Sequence, residues 1–246
     1  MENASKTAII TGASQGIGFA TANLFLERGW KIITCSRSTP VQEVVNEPNW
    51  LAHIKTDLAI ETSLDDFIKE ASEIIGDGTL QALVNNAGQS PKSINKERLG
   101  CLNGETSAWK NVFDLNLFAP LSLGRGFASF LAKGKGSVVN VTSIAGHQVH
   151  PFAGSAYSSS KAALSALTRE MANEFAALDV RVNAVAPGEI STNMVQPEYE
   201  MLIPRIPLNR IGEPMDVASL IYFLCSKEAG YITGSEIWVT GGQHML

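Results

Sequence analysis

Thr7-Ala8-Ile9-Ile10-Thr11-Gly12-Ala13-Ser14-Gln15-Gly16-Ile17-Gly18 is the stretch that decides the fold. Its first residues are apolar or β-branched and read as a short buried strand; the glycines follow where the backbone must turn sharply into a helix. A strand that turns on glycines into a helix N-terminus offers backbone amides and the positive end of the helix dipole to an anion. Gly12, Ser14, Gln15, Gly16, Ile17 and Gly18 are therefore the expected cradle for a pyrophosphate, with a plain strand-to-helix turn as the competing reading.

Outward from this turn the pattern repeats. Short apolar runs at 7–10, 32–35, 82–84, 137–141 and 180–185 alternate with stretches whose apolar positions recur at three and four residues, which is the mark of a doubly wound α/β sheet with parallel strands and crossover helices. One helix is expected from Phe19 to Arg28, stopped by Gly29, and a long one from Ser155 to Leu178, which lacks proline and glycine. Residues 89–105 and 188–214 carry no strand pattern and are expected to be irregular and functional. No linker or repeat divides the chain, so residues 1–246 read as one domain.

Composition narrows the function. With 246 residues, 45% hydrophobic and 17% charged, and a net charge of -5, there is no basic field for nucleic acid or an anionic membrane. The N-terminal residues show no leader pattern and no run is long enough to cross a bilayer, so a cytoplasmic location is expected. Cys35, Cys101 and Cys225 fit neither a disulfide framework nor a zinc knuckle and read as buried thiols in a reducing compartment. His147 and His150 come nearest to metal-ligand spacing, but no accompanying carboxylate motif supports a metal site.

At the end of the second strand, Ser36-Arg37-Ser38 bears on the cofactor. A carboxylate there would suit a free ribose 2'-hydroxyl, whereas an arginine beside a serine suits a 2'-phosphate, so NADP(H) is preferred and NAD(H) stays open. Tyr157 and Lys161, four residues apart on the long helix, project from one face. An ammonium about 4 Å from a phenol at an effective dielectric near 20 would favour phenolate by ~4 kcal/mol, or about three pKa units, making Tyr157 a usable acid/base. Ser143, two residues past the run at 137–141, lies where ligands of such sheets bind and can polarise a substrate oxygen. Asn116 is an amide inside an apolar helical pattern and reads either as a structural linker or as part of a proton path.

Together TGASQGIG at 11–18, Asp57, NNAG at 85–88, Asn116, Ser143, YSSSK at 157–161, VNAVAPG at 182–188 and YITGSEIWVTGG at 231–242 resemble the short-chain dehydrogenase/reductase family over the whole chain. The resemblance implies a Rossmann-like doubly wound sheet of about seven strands and a homotetramer, with a dimer as the alternative. It also implies hydride transfer between nicotinamide and a small-molecule ketone or secondary alcohol. It assigns Asn116, Ser143, Tyr157 and Lys161 to catalysis, with Lys161 lowering the tyrosine pKa. Asp57 and Leu58 would border adenine. Asn85, Ala87 and Gly88 would line the cofactor cleft, Pro187 and Gly188 would also bind the cofactor, and Ile190 with Thr192 would hold the carboxamide. Ser143, Ala145, His150 and Tyr157 form the expected substrate side.

The C-terminal stretch from Pro207 most resembles the 3-oxoacyl-[acyl-carrier-protein] reductases. Two arginine positions that serve carrier docking there read Gly134 and Asn173 here, with Lys133 and Lys135 as partial replacements. A free ketone or alcohol is thus at least as good a substrate as a thioester. The Ser143–Tyr157 spacing is stretched by about one residue; within it His150 reads as a solvated loop histidine, or alternatively as a hydrogen-bonding partner of substrate. Trp109 and Trp238 read as core or interface fillers. A non-catalytic redox sensor is a remoter alternative, opposed by the intact tetrad. An extended-branch epimerase is opposed by the lack of room for a substrate domain.

Overall fold

A computed structural model describes residues 6–40, 47–93, 97–192 and 197–245. The first five residues, on which the absence of a leader was partly judged, lie outside this set, as do short pieces of both irregular stretches.

Seven parallel strands form one sheet in the order β3-β2-β1-β4-β5-β6-β7. In chain order the elements are β1 (Thr7–Thr11), α1 (Gly16–Glu27), β2 (Lys31–Ser36), β3 (Trp50–Lys55), α2 (Glu61–Ile75), β4 (Ala82–Asn85) and α3 (Thr106–Phe113). A π-helical turn at Asp114–Phe118 leads to α4 (Ala119–Gly126), α5 (Ala128–Gly134), β5 (Ser137–Val141) and α6 (Ser155–Phe175). β6 (Arg181–Pro187), α7 (Pro214–Cys225) and β7 (Glu236–Val239) complete the order. The five expected strands are present with ends shifted by a residue or two. α1 begins three residues earlier than periodicity suggested, because Gly16, Ile17 and Gly18 already belong to its first turn.

Both faces of the sheet are covered, which is why the strands read as continuous apolar runs. Alternate side chains serve opposite cores. Ile9, Ile33, Leu83 and Val138 pack with Phe67 of α2, Leu123 of α4 and Met171 of α6. Ile10, Ile32, Val84 and Val139 pack with Phe25 of α1 and Ile221 of α7. Strand order reverses between β1 and β4, and at such a switch point the loops after the strand ends diverge and leave a crevice.

Cys35 and Cys225 are buried, and burial pushes both thiols up to about 12. Cys101 departs from expectation: it is exposed, because it lies in the irregular segment after β4 and not in a strand or helix facing a core.

Candidate active site

Two adjoining cavities occupy the crevice. The first, about 440 Å³, is floored by the glycine turn. Gly12, Ser14, Gln15, Gly16 and Ile17 lie on one side, Ser36, Arg37 and Ser38 on another, and Asp57, Leu58, Ala87 and Gly88 close it. The second, about 360 Å³, is lined by Ser143, Ala145, His150, Tyr157 and Lys161, with Pro187, Gly188, Ile190 and Thr192 opposite. Ile17, Asn86, Gly88, Ser90 and Thr192 border both, so the two form one continuous trough. The sequence-predicted groups are thus brought together with three exceptions: Gly18, Asn85 and Asn116 line neither cavity.

Gly18 acts through packing. A Cβ there would stand 2.3 Å from the Gly12 carbonyl oxygen, so only glycine lets α1 close against the turn. α1 has no acidic residue in its first turn and no side-chain cap, which leaves its N-terminal dipole suited to an anion. Asn85 requires a correction. Its side chain is buried under the cleft, donating to Asn140 Oδ1 at 2.8 Å, while Asn140 donates to Thr168 Oγ1 at 2.9 Å. Asn86, the next residue, takes the cleft position instead, and its Nδ2 donates to the carbonyls of Thr11 and Gly12. Adjacent residues at a strand end point to opposite sides, which accounts for the exchange.

At the far end of the first cavity Arg37 is exposed, and among the described residues it forms no ion pair. Ser38 Oγ donates to Ser14 Oγ at 3.1 Å, tying this loop to the glycine turn. His53 of β3 braces it from below, with Nε2 3.2 Å from both Ser36 Oγ and the Ser38 carbonyl. Burial lowers the His53 pKa, and the Ser38 carbonyl partly opposes that. Sequence reasoning missed His53 because it missed β3 altogether.

Ser143 leaves β5 in extended conformation and its Oγ accepts from the Ala145 amide at 3.1 Å, opening the short turn Ile144–Gly146. The first turn of α6 carries Tyr157 to the same place. Burial raises the Tyr157 phenol above its ordinary value, the Ser143 hydroxyl pulls it back, and the charge of Glu189 pushes it further up. Lys161 is 3% exposed, and its Nζ donates to the Val141 carbonyl at 2.6 Å. Burial pushes its ammonium down to about 8. The expected lowering of the phenol is therefore not met: burial outweighs it and the Tyr157 pKa is raised, while Lys161 Nζ donates to the Val141 carbonyl.

Asn116 sits in the π-helical turn, a widened helix geometry often found at functional sites. Its Nδ2 donates to the Gln89 carbonyl and to Ser160 Oγ, and its Oδ1 accepts from the Gln89 amide. It is linked to the reacting helix through Ser160, whose Oγ also donates to the Tyr157 carbonyl. A Cβ on Gly88 would stand 3.3 Å from both Asn116 Oδ1 and Lys161 Nζ, so both polar ends border a glycine that faces both cavities. An uncapped helix N-terminus, a trough narrowed by glycines and a polar floor at Gly88 fit a dinucleotide laid along the crevice.

His150 is the second correction. It is 5% exposed, and its Nε2 lies 2.6 Å from Oε1 of Glu189, itself 6% exposed, so it is not a solvated loop histidine. Stacking of Phe152 on Tyr199, with ring centroids 4.5 Å apart, closes the wall behind it. Glu189, Tyr199 and Lys92 also line this cavity and were not foreseen. The one signal for Glu189 is its place directly after Pro187-Gly188 and before Ile190, where a solvated glutamate is the simpler reading. His147 pairs with Glu236 at 2.9 Å, so the two histidines have separate carboxylate partners.

Residues 12–244 match a family model described as enoyl-(acyl carrier protein) reductase. Protein FixR of Bradyrhizobium diazoefficiens is 49% identical over 245 residues, covering 98% of this chain and 87% of that protein. The 3-oxoacyl-[acyl-carrier-protein] reductase FabG of Vibrio cholerae is 33% identical, with 98% of each chain covered. A Brucella ovis oxidoreductase of the short chain dehydrogenase/reductase family, solved with partially ordered NAD, superposes with a TM-score of 0.79 at 44% identity, covering 96% of this chain and 99% of that one.

Proposed function

Because the chain belongs to the short-chain dehydrogenase/reductase family of nicotinamide-dependent oxidoreductases, we propose that it interconverts a ketone and a secondary alcohol with NADP(H) as the preferred cofactor. The observation that carries this reading is the meeting of Ser143, Tyr157 and Lys161 in a cavity continuous with the glycine-turn trough. Bound nicotinamide supplies or accepts the hydride.

The protein side handles the proton and the oxygen. Ser143 donates to the substrate oxygen and holds it near the Tyr157 hydroxyl, which gives its proton as the oxygen gathers negative charge. A phenol held high by burial is protonated at neutral pH and suited to that donation. Lys161, reaching the floor beside Gly88, binds the ribose next to the reacting ring and restores proton supply together with Asn116. Gly12, Gly16 and Ile17 take the pyrophosphate, Asp57 and Leu58 flank adenine, and Ile190 with Thr192 orient the carboxamide. Arg37, Ser38 and Ser14 form a three-sided donor set for a 2'-phosphate, the support for NADP(H) over NAD(H).

A 3-oxoacyl thioester is the second reading, favoured by the similarity to FabG. Charge placement opposes it. A Cβ on Gly134 would stand 2.3 Å from the Leu80 carbonyl oxygen, which leaves no room for a docking arginine. Lys135 is paired with Asp179 at 3.2 Å, and Asn173 is neutral, so Lys133 remains as exposed cation. Assembly into a homotetramer or dimer is part of the same proposal, supported by β7 as a sheet edge carrying half-buried Ile237, Trp238 and Val239. No helix among the described residues is long and apolar enough to cross a membrane.

The test is oxidation of NADPH and NADH against a 3-oxoacyl thioester, a free β-keto ester, a cyclic ketone, a diketone and a ketose. NADPH-linked turnover of a free carbonyl supports the reading, turnover of the thioester alone favours the second, and silence throughout favours a redox sensor.

A further inference from the structure

One hydrogen-bonded pair in the second cavity, His150 and Glu189, has no part in the proton transfer just described. His150 Nδ1 accepts two backbone N–H groups, from Phe152 at 3.2 Å and Ala153 at 3.0 Å. A nitrogen that accepts carries no proton, so the ring is neutral and its proton resides on Nε2. Nε2–H then donates to Glu189 Oε1 at 2.6 Å, which requires that oxygen to be an acceptor. Gln243 Nε2 reaches the same oxygen at 3.3 Å. The geometry therefore sets a neutral imidazole behind Glu189 and makes its Oε1 a hydrogen-bond acceptor in the wall of the cavity that holds Tyr157 and Ser143.

Two lysines line the same cavity. Lys161 Nζ is engaged with the Val141 carbonyl, and Lys92 Nζ donates to the Phe152 carbonyl on the loop that carries His150. Both described bonds to Glu189 fall on Oε1. A buried carboxylate rewards any group that brings a donor to it and disfavours any group that brings a second negative charge.

Resting on the reading of this chain as a carbonyl reductase, we infer that Glu189, oriented by His150, is its specificity-determining residue and receives a hydroxyl or ammonium group that the substrate carries beside its reacting carbon. The substrate class is a hydroxyketone or aminoketone, or the corresponding diol or amino alcohol. A ketone with a carboxylate at that place brings no donor to Glu189 Oε1. His150 is a positioning residue in this scheme: it holds Glu189 without touching the substrate oxygen.

The experiment compares kcat/KM for a matched set: a plain ketone, its vicinal hydroxyketone, the aminoketone in its ammonium form and the corresponding keto acid. Each is tested with the native enzyme and with Glu189→Gln, an isostere that still accepts from His150 Nε2–H. The native enzyme is expected to favour the two donor-bearing ketones over the plain one by about tenfold or more and to rank the keto acid last. In Glu189→Gln the donor advantage should fall by about tenfold and the keto acid should gain on the plain ketone. Should Glu189→Gln fail to fold, the native ranking together with inhibition by an alkylammonium, an alcohol and a carboxylate of equal length decides the matter. Turnover with a flat ranking, or a ranking unchanged in Glu189→Gln, overturns the inference and leaves the reductase standing; absence of turnover for every ketone overturns both.

Discussion

Lys161 Nζ donates to the Val141 carbonyl at 2.6 Å, joining the middle of α6 to the end of β5, and it does so as a buried cation whose pKa burial pushes down to about 8. Between this value and the ordinary lysine value of 10.5, the unfolded chain binds more protons than the folded one, so the native stability rises with pH across that window. At neutral pH the buried charge costs about 3 kcal/mol, and its hydrogen bond returns about 1 kcal/mol. Lys161→Met is therefore expected to be more stable than the native chain by about 2 kcal/mol near neutral pH. Urea denaturation checks this, and the gain should shrink by about 1 kcal/mol as the pH is raised by about two units.

Tyr157→Phe removes the hydroxyl that α6 brings to the cavity while leaving the ring in place. Turnover should fall by about 10² to 10⁴ with nucleotide affinity nearly intact. Fluorescence titration with NADPH beside steady-state assays separates the two, and ordinary kcat in the variant would remove Tyr157 from the proton step.

The pH dependence of the two directions should differ. Burial first, and the charge of Glu189 after it, raise the Tyr157 phenol, while Ser143 opposes them. Reduction needs the protonated phenol and should stay level through neutral and mildly alkaline pH. Alcohol oxidation needs the phenolate and should climb with pH over the same range. Removing the charge in Glu189→Gln lowers the phenol pKa, so the oxidation limb should move to lower pH. Log kcat/KM against pH for both enzymes is the measurement; a limb that stays put denies the influence of Glu189 on Tyr157.

Arg37→Ala should weaken NADPH about tenfold or more while leaving NADH nearly unchanged. The ratio of the two KM values reads this out. Ser38→Ala, which cuts the bond to Ser14 Oγ, should shift the same ratio in the same direction by less.

The central strands were legible because residues such as Ile9 and Ile10 serve opposite cores, so both faces of β1 demand apolar side chains. β3 was not legible: as a sheet edge it interleaves His53 and Lys55 with Trp50 and Ile54, and that alternation resembles surface loop. The reacting groups Ser143, Tyr157 and Lys161 were found from their types and spacing. The widened turn around Asn116 was not, because one extra residue per turn leaves no trace in the order of apolar positions. Asn85 and Asn86 could not be told apart without knowing which side of the sheet each faced. Glu189 was hidden because its meaning comes from His150, 39 residues earlier, and pairs so distant have no local signature.

The segment after β4 reaches the loop before α6 through side chains. Lys92 donates to the Phe152 carbonyl, and Arg98 Nε donates to the Ala153 carbonyl at 2.6 Å and from its other end to Ser155 Oγ. Together with the bonds of Gly154 to Ser90 Oγ, Ser155 to the Leu99 carbonyl and His150 within the loop, these two long side chains fix its shape from outside the sheet's own ladder. Substitutions at Lys92 and Arg98 can recast the mouth of the pocket without disturbing the strands that carry Ser143 and the glycine turn. Such an arrangement lets a lineage change what it eats while inheriting how it digests.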